Sequence, residues 1–342
     1  MTYPYFTKGL PDAGPSRRAE AIPTLNRERM NEPAGYMPHP DLTHAVNVAL
    51  VLGMPLLVTG EPGTGKTQLA SALADDIGAE LHKFDTKSTS AARDLFYTFD
   101  AVTSFKMREV TDQRLFIRYQ ALGRAILDAF AKDHPALARL LPPEGSDYMH
   151  QGPRRSVVLI DEIDKAPRDF PNDLLNEIER LYFHVPELRN AGSPGTEHGE
   201  AGVPSHLRPI VIMTSNSEKG LPDPFLRRCI YFDIPFPKQG EMREIVAARI
   251  EGLGTSDPLL GEALDLFYKL RRTERLTNLR KEPSTAELLN WLQILTHRGA
   301  QPGEPLRGRP ELVMQTLSAL VKNTEDRKAA FEFTEKTWLP GG

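Results

Sequence analysis

The 342-residue sequence predicts an α/β fold, a parallel five-stranded sheet flanked by helices, followed by a smaller all-α domain. Two observations carry this. Apolar runs at Pro55–Thr59, Leu81–Asp85, Ser156–Asp161, Pro209–Thr214 and Cys229–Ile234 alternate with helical patterns, and most are continuously apolar, as in strands covered on both faces. After Pro235, Phe236 and Pro237 such runs stop, and helix-period segments follow at about 239–252, 258–272, 284–297, 310–322 and 325–337. Prolines fix φ and cannot extend a helix, so these residues read as a hinge.

Taken in order, residues 1–35 carry Pro4, Pro11, Pro15, Pro23 and Pro33 among scattered charges, which predicts an extended arm. An α/β domain spans 36–236, and the helical domain spans 237–342. Asp41–Leu52 fits an amphipathic helix capped by Asp41. Gln68–Ile77 reads as a helix ended by Gly78. In Asp169–Tyr182, Leu174, Leu175, Ile178 and Leu181 share one helical face. The Gly/Ser/Pro/Glu-rich stretch Arg189–Pro204 predicts an exposed loop or hairpin tip.

Composition narrows the class. The formal charge is −4 and the pI about 6.2, unlike a chain coated for nucleic acid. A lone cysteine, Cys229, excludes an internal disulfide, points to a reducing compartment and fits a small buried hydrophobe. Nine histidines without an HExxH pattern argue against a structural metal. Met1–Leu10 lacks the pattern of a signal peptide, and the apolar stretch Ala45–Val58 is shorter than the roughly 20 residues a membrane span needs. The expectation is a soluble, cytoplasmic protein with no membrane insertion.

Gly60, Glu61, Pro62, Gly63, Thr64, Gly65, Lys66 and Thr67 form a complete phosphate-loop pattern, placed after a strand and before the helix that Gln68 opens. Glycines let backbone N–H groups turn inward around a phosphate, and a helix N-terminus adds positive potential. Lys66 would set a cation on the β/γ oxygens of ATP, and the Thr67 hydroxyl would ligate Mg²⁺.

Val157 to Ile160 then lead into Asp161 and Glu162. Asp161, at the carboxyl end of its strand, would hold Mg²⁺ through water; Glu162 would orient or deprotonate the attacking water. The strand Ile210–Met213 runs into Thr214, Ser215 and Asn216, and Asn216 would reach the γ-phosphate or that water. Arg227 and Arg228 have no evident role toward their own nucleotide, which suggests a cation offered to a neighbouring subunit, with Arg228 preferred.

GEPGTGKT, VVLIDEIDKA, TSN and LPDPFLRR, in this order and followed by a helical lid, resemble the MoxR branch of the AAA+ ATPases over about residues 36–300. The resemblance implies ring oligomers, usually hexamers, with ATP between subunits. It also implies a sheet order of 5-1-4-3-2 that puts Asn216 between the two nucleotide motifs. It implies chaperone-like remodelling of a client, with a von Willebrand A domain protein as partner. Two features fit that branch: an insertion over about Thr86–Met107, with Phe96, Tyr97, Thr98 and Phe99, and a hairpin built from Phe183, His184, Val185 and the loop after them. In the family such hairpins face the pore or partner; the aromatic run equally suits ordinary core.

Tyr36 falls where the family holds adenine. The lid departs from the family pattern: Thr285 stands at the position of a phosphate-sensing arginine, and Lys281 or Arg280 would have to substitute. A rival reading is a nucleic-acid-dependent AAA+ motor, for which Arg271, Arg272, Arg275, Arg280 and Lys281 offer a basic cluster. A slow nucleotide switch is a third.

Overall fold

The structure is a computed structural model, and it describes residue 25 and residues 32–107, 112–143, 148–189, 191–194, 202–217, 220–272 and 279–341. Most of the expected N-terminal arm, the centre of the 189–204 loop and Arg275 lie outside the described residues. The chain divides into two compact units, one of residues 38–236 and one of residues 237–342 with the N-terminal residues up to Met37.

The larger unit is built on strands β1 (Leu56–Gly60), β2 (Glu80–Asp85), β5 (Ser156–Asp161), β8 (Ile210–Thr214) and β9 (Ile230–Ile234). All pair in parallel, in the order β2-β5-β8-β1-β9. Counted within this sheet alone, that is 5-1-4-3-2. The central β1 and β5 are buried at every residue, whereas the edge strand β2 buries only His82 and Phe84. Edge position therefore explains why β2 alternates while β5 is a solid apolar run. Each buried Val, Leu or Ile of β5 contributes about 1.5–3 kcal/mol.

Helices α1 (Pro40–Leu52), α2 (Lys66–Asp76), α4 (Ala121–Leu127), α5 (Phe170–Arg180) and α6 (Asp223–Leu226) belong to this unit. The cap of α1 corrects the sequence reading. His39 is the N-cap, its Nδ1 accepting the Asp41 N–H at 3.2 Å, and Asp41 lies within the first turn. Pro40, whose missing N–H costs nothing at N1, moves the start of the helix upstream. Helix α5 buries Leu174, Leu175 and Ile178 and ends as Leu181 enters the left-handed region at φ 47°.

The insertion before α4 is an antiparallel pair, β3 (Tyr97–Phe99) with β4 (Ile117–Tyr119), enclosing the short helix α3 (Ala101–Lys106). A second small pair, β6 (His184–Val185) with β7 (Ala191–Gly192), follows α5. The two hairpins are packed together. Phe96 stacks on Phe183 at 5.1 Å, and Tyr97 donates to Glu187 at 3.0 Å. Phe96 and Tyr97 are both buried, so they are core. Gly123 permits this packing, because a Cβ there would fall 2.0 Å from the Phe96 carbonyl oxygen.

The smaller unit contains α7 (Gln239–Arg249), α8 (Pro258–Arg272), α9 (Thr285–His297), α10 (Pro310–Thr316) and α11 (Thr324–Phe333). The fourth segment is shorter than its sequence pattern suggests, giving way to a 3-10 turn at Leu317. Thr316 uses its hydroxyl on the Leu312 carbonyl and accepts the Trp291 indole N–H at 3.0 Å, a local competition that weakens a helix end. A π turn over Thr334–Trp338 likewise ends α11 early. Among the described residues, no helix is long and apolar enough to cross a membrane.

Candidate functional site

The phosphate loop joins β1 to α2 at the carboxyl end of the sheet. Thr59, wholly buried at the end of β1, donates to Asp233 at 2.6 Å and bonds the Tyr231 hydroxyl at 2.9 Å. This clamps the loop's entry to the neighbouring edge strand. Gly60 follows at φ 140°, where a Cβ would meet the Ile234 carbonyl at 2.8 Å. Gly63 and Gly65 also take positive φ, and the Thr64 hydroxyl donates to the Glu61 carbonyl at 2.9 Å. Gly65 caps α2 at its N-terminus, a turn that presents backbone donors to an anion.

Lys66, the first residue of α2, is buried and donates to the Gly60 and Glu61 carbonyls at 2.7 and 3.0 Å. Burial pushes its ammonium below the ordinary lysine value, while Asp164, Asp161, Glu162 and Asp233 pull the other way. The ammonium is thus held by two loop carbonyls at the start of α2, with the four carboxylates opposing the effect of its burial. Thr64 and Gly65 are half-buried, Glu61, Pro62 and Gly63 exposed, and Gln68 occupies the first turn of α2.

Thr67, next on α2, turns its hydroxyl to Asp161, donating to the two carboxylate oxygens at 3.1 and 3.2 Å. Asp161 ends β5, and three further groups hold it. The Thr214 hydroxyl donates to Oδ1 at 2.5 Å, Lys83 Nζ lies 3.0 Å from Oδ2, and the backbone carbonyl accepts the Thr86 N–H at 3.1 Å. Hydroxyl and carboxylate oxygens at this spacing suit a hard divalent cation such as Mg²⁺. Burial disfavours charge on Lys83, but its bonds to Asp85 and Asp161 outweigh this and leave its pKa above the ordinary value.

Glu162 turns sharply out of the strand at φ 57°, ψ 54°. Its N–H donates to the Thr214 hydroxyl at 2.9 Å, and its carboxylate pairs with Lys165. A left-handed glutamate costs about 1–3 kcal/mol, a cost met here by the fixed strand end on either side. Asn216, just past β8, is held by Asp164, whose carboxylate accepts both its backbone N–H and its side-chain amide at 3.3 Å. One bonded network therefore brings Thr67, Asp161 and Glu162 together, and Asp164 links Asn216 to the same turn.

Other predicted residues lie outside this network. Arg227 and Arg228 are exposed at the end of α6, Arg228 pairing with Glu179 of α5 at 3.9 Å. Tyr36 belongs to the smaller unit, where burial raises its pKa and the Arg249 charge opposes that. Lys281, also in the smaller unit, is exposed, and the Asp326 carboxylate fixes the backbone N–H groups of Arg280 and Lys281 at 2.8 and 2.9 Å. Thr285 is buried, with its hydroxyl left without a hydrogen-bond partner. Arg271 is not a solvated cation: it donates to the Pro283 carbonyl at 2.6 Å and pairs with Glu282 at 3.0 Å. Cys229 is buried, which pushes its thiol up to about 12.

Sequence reasoning missed Lys83, Thr214 and Asp164 as members of the site. Thr214 had a signal, since it is the last residue of the strand entering the Asn216 turn. Lys83 had one in the edge-strand alternation that gives it the same face as Asp85, the residue in register with Asp161.

The AAA domain pattern of the dynein-related subfamily matches residues 55–229, just over half of the chain. Among solved structures, a proline-to-glycine variant of Thermotoga maritima RuvB is 16% identical, with 87% of this chain and 69% of that chain covered at a TM-score of 0.36. No curated protein sequence matches the chain.

Proposed function

Since the chain belongs to the AAA domain family, in its dynein-related subfamily, we propose that it is a Mg²⁺-dependent ATPase that works as one subunit of a MoxR-type ring. The observation that carries this is the Thr67 hydroxyl lying 3.1 Å from Asp161 beside a buried Lys66. In this reading the loop amides and Lys66 grip the β- and γ-phosphates, and Thr67 and Asp161 hold the metal, which supplies charge neutralisation for phosphoryl transfer. Glu162 orients and deprotonates the attacking water, and Asn216, steadied by Asp164, aligns it. Little else is required, because such transfer rests on positioning and electrostatics.

Arg228 is proposed as the cation offered to a neighbouring subunit's nucleotide. Its exposure at the end of α6 suits that task, with Arg227 as the second candidate. Tyr36 would hold adenine, and Lys281 would sense phosphate from a backbone that Asp326 fixes. The work of the ring, by the MoxR resemblance, is remodelling or activating a client or a von Willebrand A domain partner in the cytoplasm. The tied-down Arg271 weakens the case for a nucleic-acid motor.

The test is Glu162→Gln. It should bind ATP with unchanged affinity while hydrolysis falls on the order of 10²–10⁴-fold, as expected for a removed general base. Undiminished hydrolysis would reject the assignment, and a complex trapped on this variant would identify the client.

A further inference from the structure

Lys83 lies in the middle of the edge strand β2, a place where a lysine is ordinarily just a solvated charge. Here it is bound on both sides. Its Nζ is 2.7 Å from Asp85 Oδ1 and 3.0 Å from Asp161 Oδ2. The strand's alternation puts Lys83 and Asp85 on one face, and parallel register sets Asp85 level with Asp161. The two carboxylates differ: the Asp161 side chain is 9% exposed and that of Asp85 69%. Lys83 thus bridges a buried acid, which needs a counter-ion, and a hydrated one, which does not.

The geometry points to Lys83 as a positioning residue, the resident counter-ion of Asp161, which sets how much divalent cation the site needs before it binds nucleotide tightly. This rests on the reading of Asp161 as a metal-holding carboxylate. Oδ1 accepts the short Thr214 bond and the Thr67 hydroxyl is shared between both oxygens, so Lys83, on Oδ2, is the partner that can be displaced without breaking a hydroxyl bond. An ammonium there repels an approaching divalent cation and competes for the same lone pairs. Asp85 gives it somewhere to stay once that oxygen is taken up, so the exchange needs only a small swing of a flexible side chain.

The test titrates MgCl₂ against the full chain with the fluorescent nucleotide mant-ADP and reads the magnesium midpoint for binding, beside a melting curve for each variant without metal. Lys83→Met should lower the midpoint about tenfold, because the competing charge is gone. Lys83→Arg should stay within about threefold of wild type. Asp85→Asn, which leaves Lys83 wholly to Asp161, should raise the midpoint about threefold. A role in strand stability alone would lower the melting temperature of Lys83→Met and leave its midpoint unmoved, and that result overturns the inference. So does a raised midpoint. If Lys83→Met does not fold, Asp85→Asn decides, an unchanged midpoint refuting the inference. Wild-type protein that binds no mant-ADP at any magnesium concentration would instead sink the proposed function, and this inference with it.

Discussion

Strand β2 carries a charged cluster on each of its two faces, and each is centred on a buried aspartate. On one face Asp128, wholly buried, accepts the Tyr148 hydroxyl at 2.6 Å and Arg154 at 3.2 Å, with His82 Nε2 at 3.3 Å. Arg154 also pairs with Glu80 at 2.5 Å. On the other face Asp161 takes two threonine hydroxyls and one lysine. Both carboxylates are satisfied, but by different kinds of group. Asp128 is enclosed by a part-buried guanidinium, a part-buried phenol and the buried His82 ring. Asp161 is held by two hydroxyls and a flexible lysine that can swing aside, next to an exposed Thr67 and a half-buried Glu162. Burial with full enclosure builds structure; burial with a displaceable partner builds a site.

Asp128, with Glu80 and His82, also has the spacing of a metal-binding trio. Arg154 already neutralises both acids there, so an ion would have to expel a guanidinium from two carboxylates. The cluster reads as a structural brace.

The comparison breaks most visibly through a matched pair of substitutions. Asp161→Asn keeps the hydroxyl bonds and loses the charge proposed to hold the metal. Hydrolysis should fall on the order of 10²–10³-fold, with stability changed by no more than about 1 kcal/mol. Asp128→Asn should do the reverse, costing about 3 kcal/mol by leaving Arg154 short of a buried counter-ion, while folded protein keeps its hydrolysis rate. Denaturant midpoints and steady-state turnover on both variants check this, and similar phenotypes would dissolve the distinction.

Acid sharpens it further. Burial alone would raise the Asp128 pKa, but bonds from His82 and Tyr148 and the Arg154 charge outweigh it, and the carboxyl lies below its ordinary value of 3.8. A group with a depressed folded pKa contributes stability that is fully present above its unfolded value and lost as pH falls through the folded one. The stability gap between wild type and Asp128→Asn should therefore hold at pH 5 and above and shrink below about 4. Urea melts across that range would show it; a gap that widens with acid would contradict the sign.

Much of this was legible in the chain. The central strands announce themselves as solid apolar runs, and the phosphate loop and the Asp161–Glu162 pair are contiguous, so local spacing suffices to find them. What escaped was long-range. Asp128 meets Arg154 and Tyr148 across 20 or more residues, and Lys83 meets Asp161 only through the register of two strands. The cap at His39 escaped for another reason: both His39 and Asp41 can accept an N–H, and only Pro40 decides where the helix begins. Burial of Phe96 and Tyr97 likewise depended on a distant partner, Phe183.

Thr214→Val tests a smaller effect at the seam of the site. Its hydroxyl donates to Asp161 and accepts the Glu162 N–H, so it joins the carboxylate proposed to hold the metal to the proposed base. Valine keeps the shape and leaves that N–H unpaired, at a cost of about 1–3 kcal/mol. Released from its tether, Glu162 should lose alignment, and turnover should drop about tenfold with nucleotide affinity nearly unchanged.

The weakest expected effect lies at Lys165, whose pairing with Glu162 superficially mirrors that of Lys83 with Asp161. Here both partners are open to water, with side chains 53% and 41% exposed. Solvent screens such a pair, and holding two long side chains in one geometry costs entropy. Lys165→Met should therefore leave the melting temperature unmoved and turnover within about threefold of wild type. A loss beyond tenfold would mean that a cation paired with an exposed base controls it as firmly as Lys83 is proposed to control the buried Asp161. Exposure would then no longer separate the groups that run the site from those that merely decorate it.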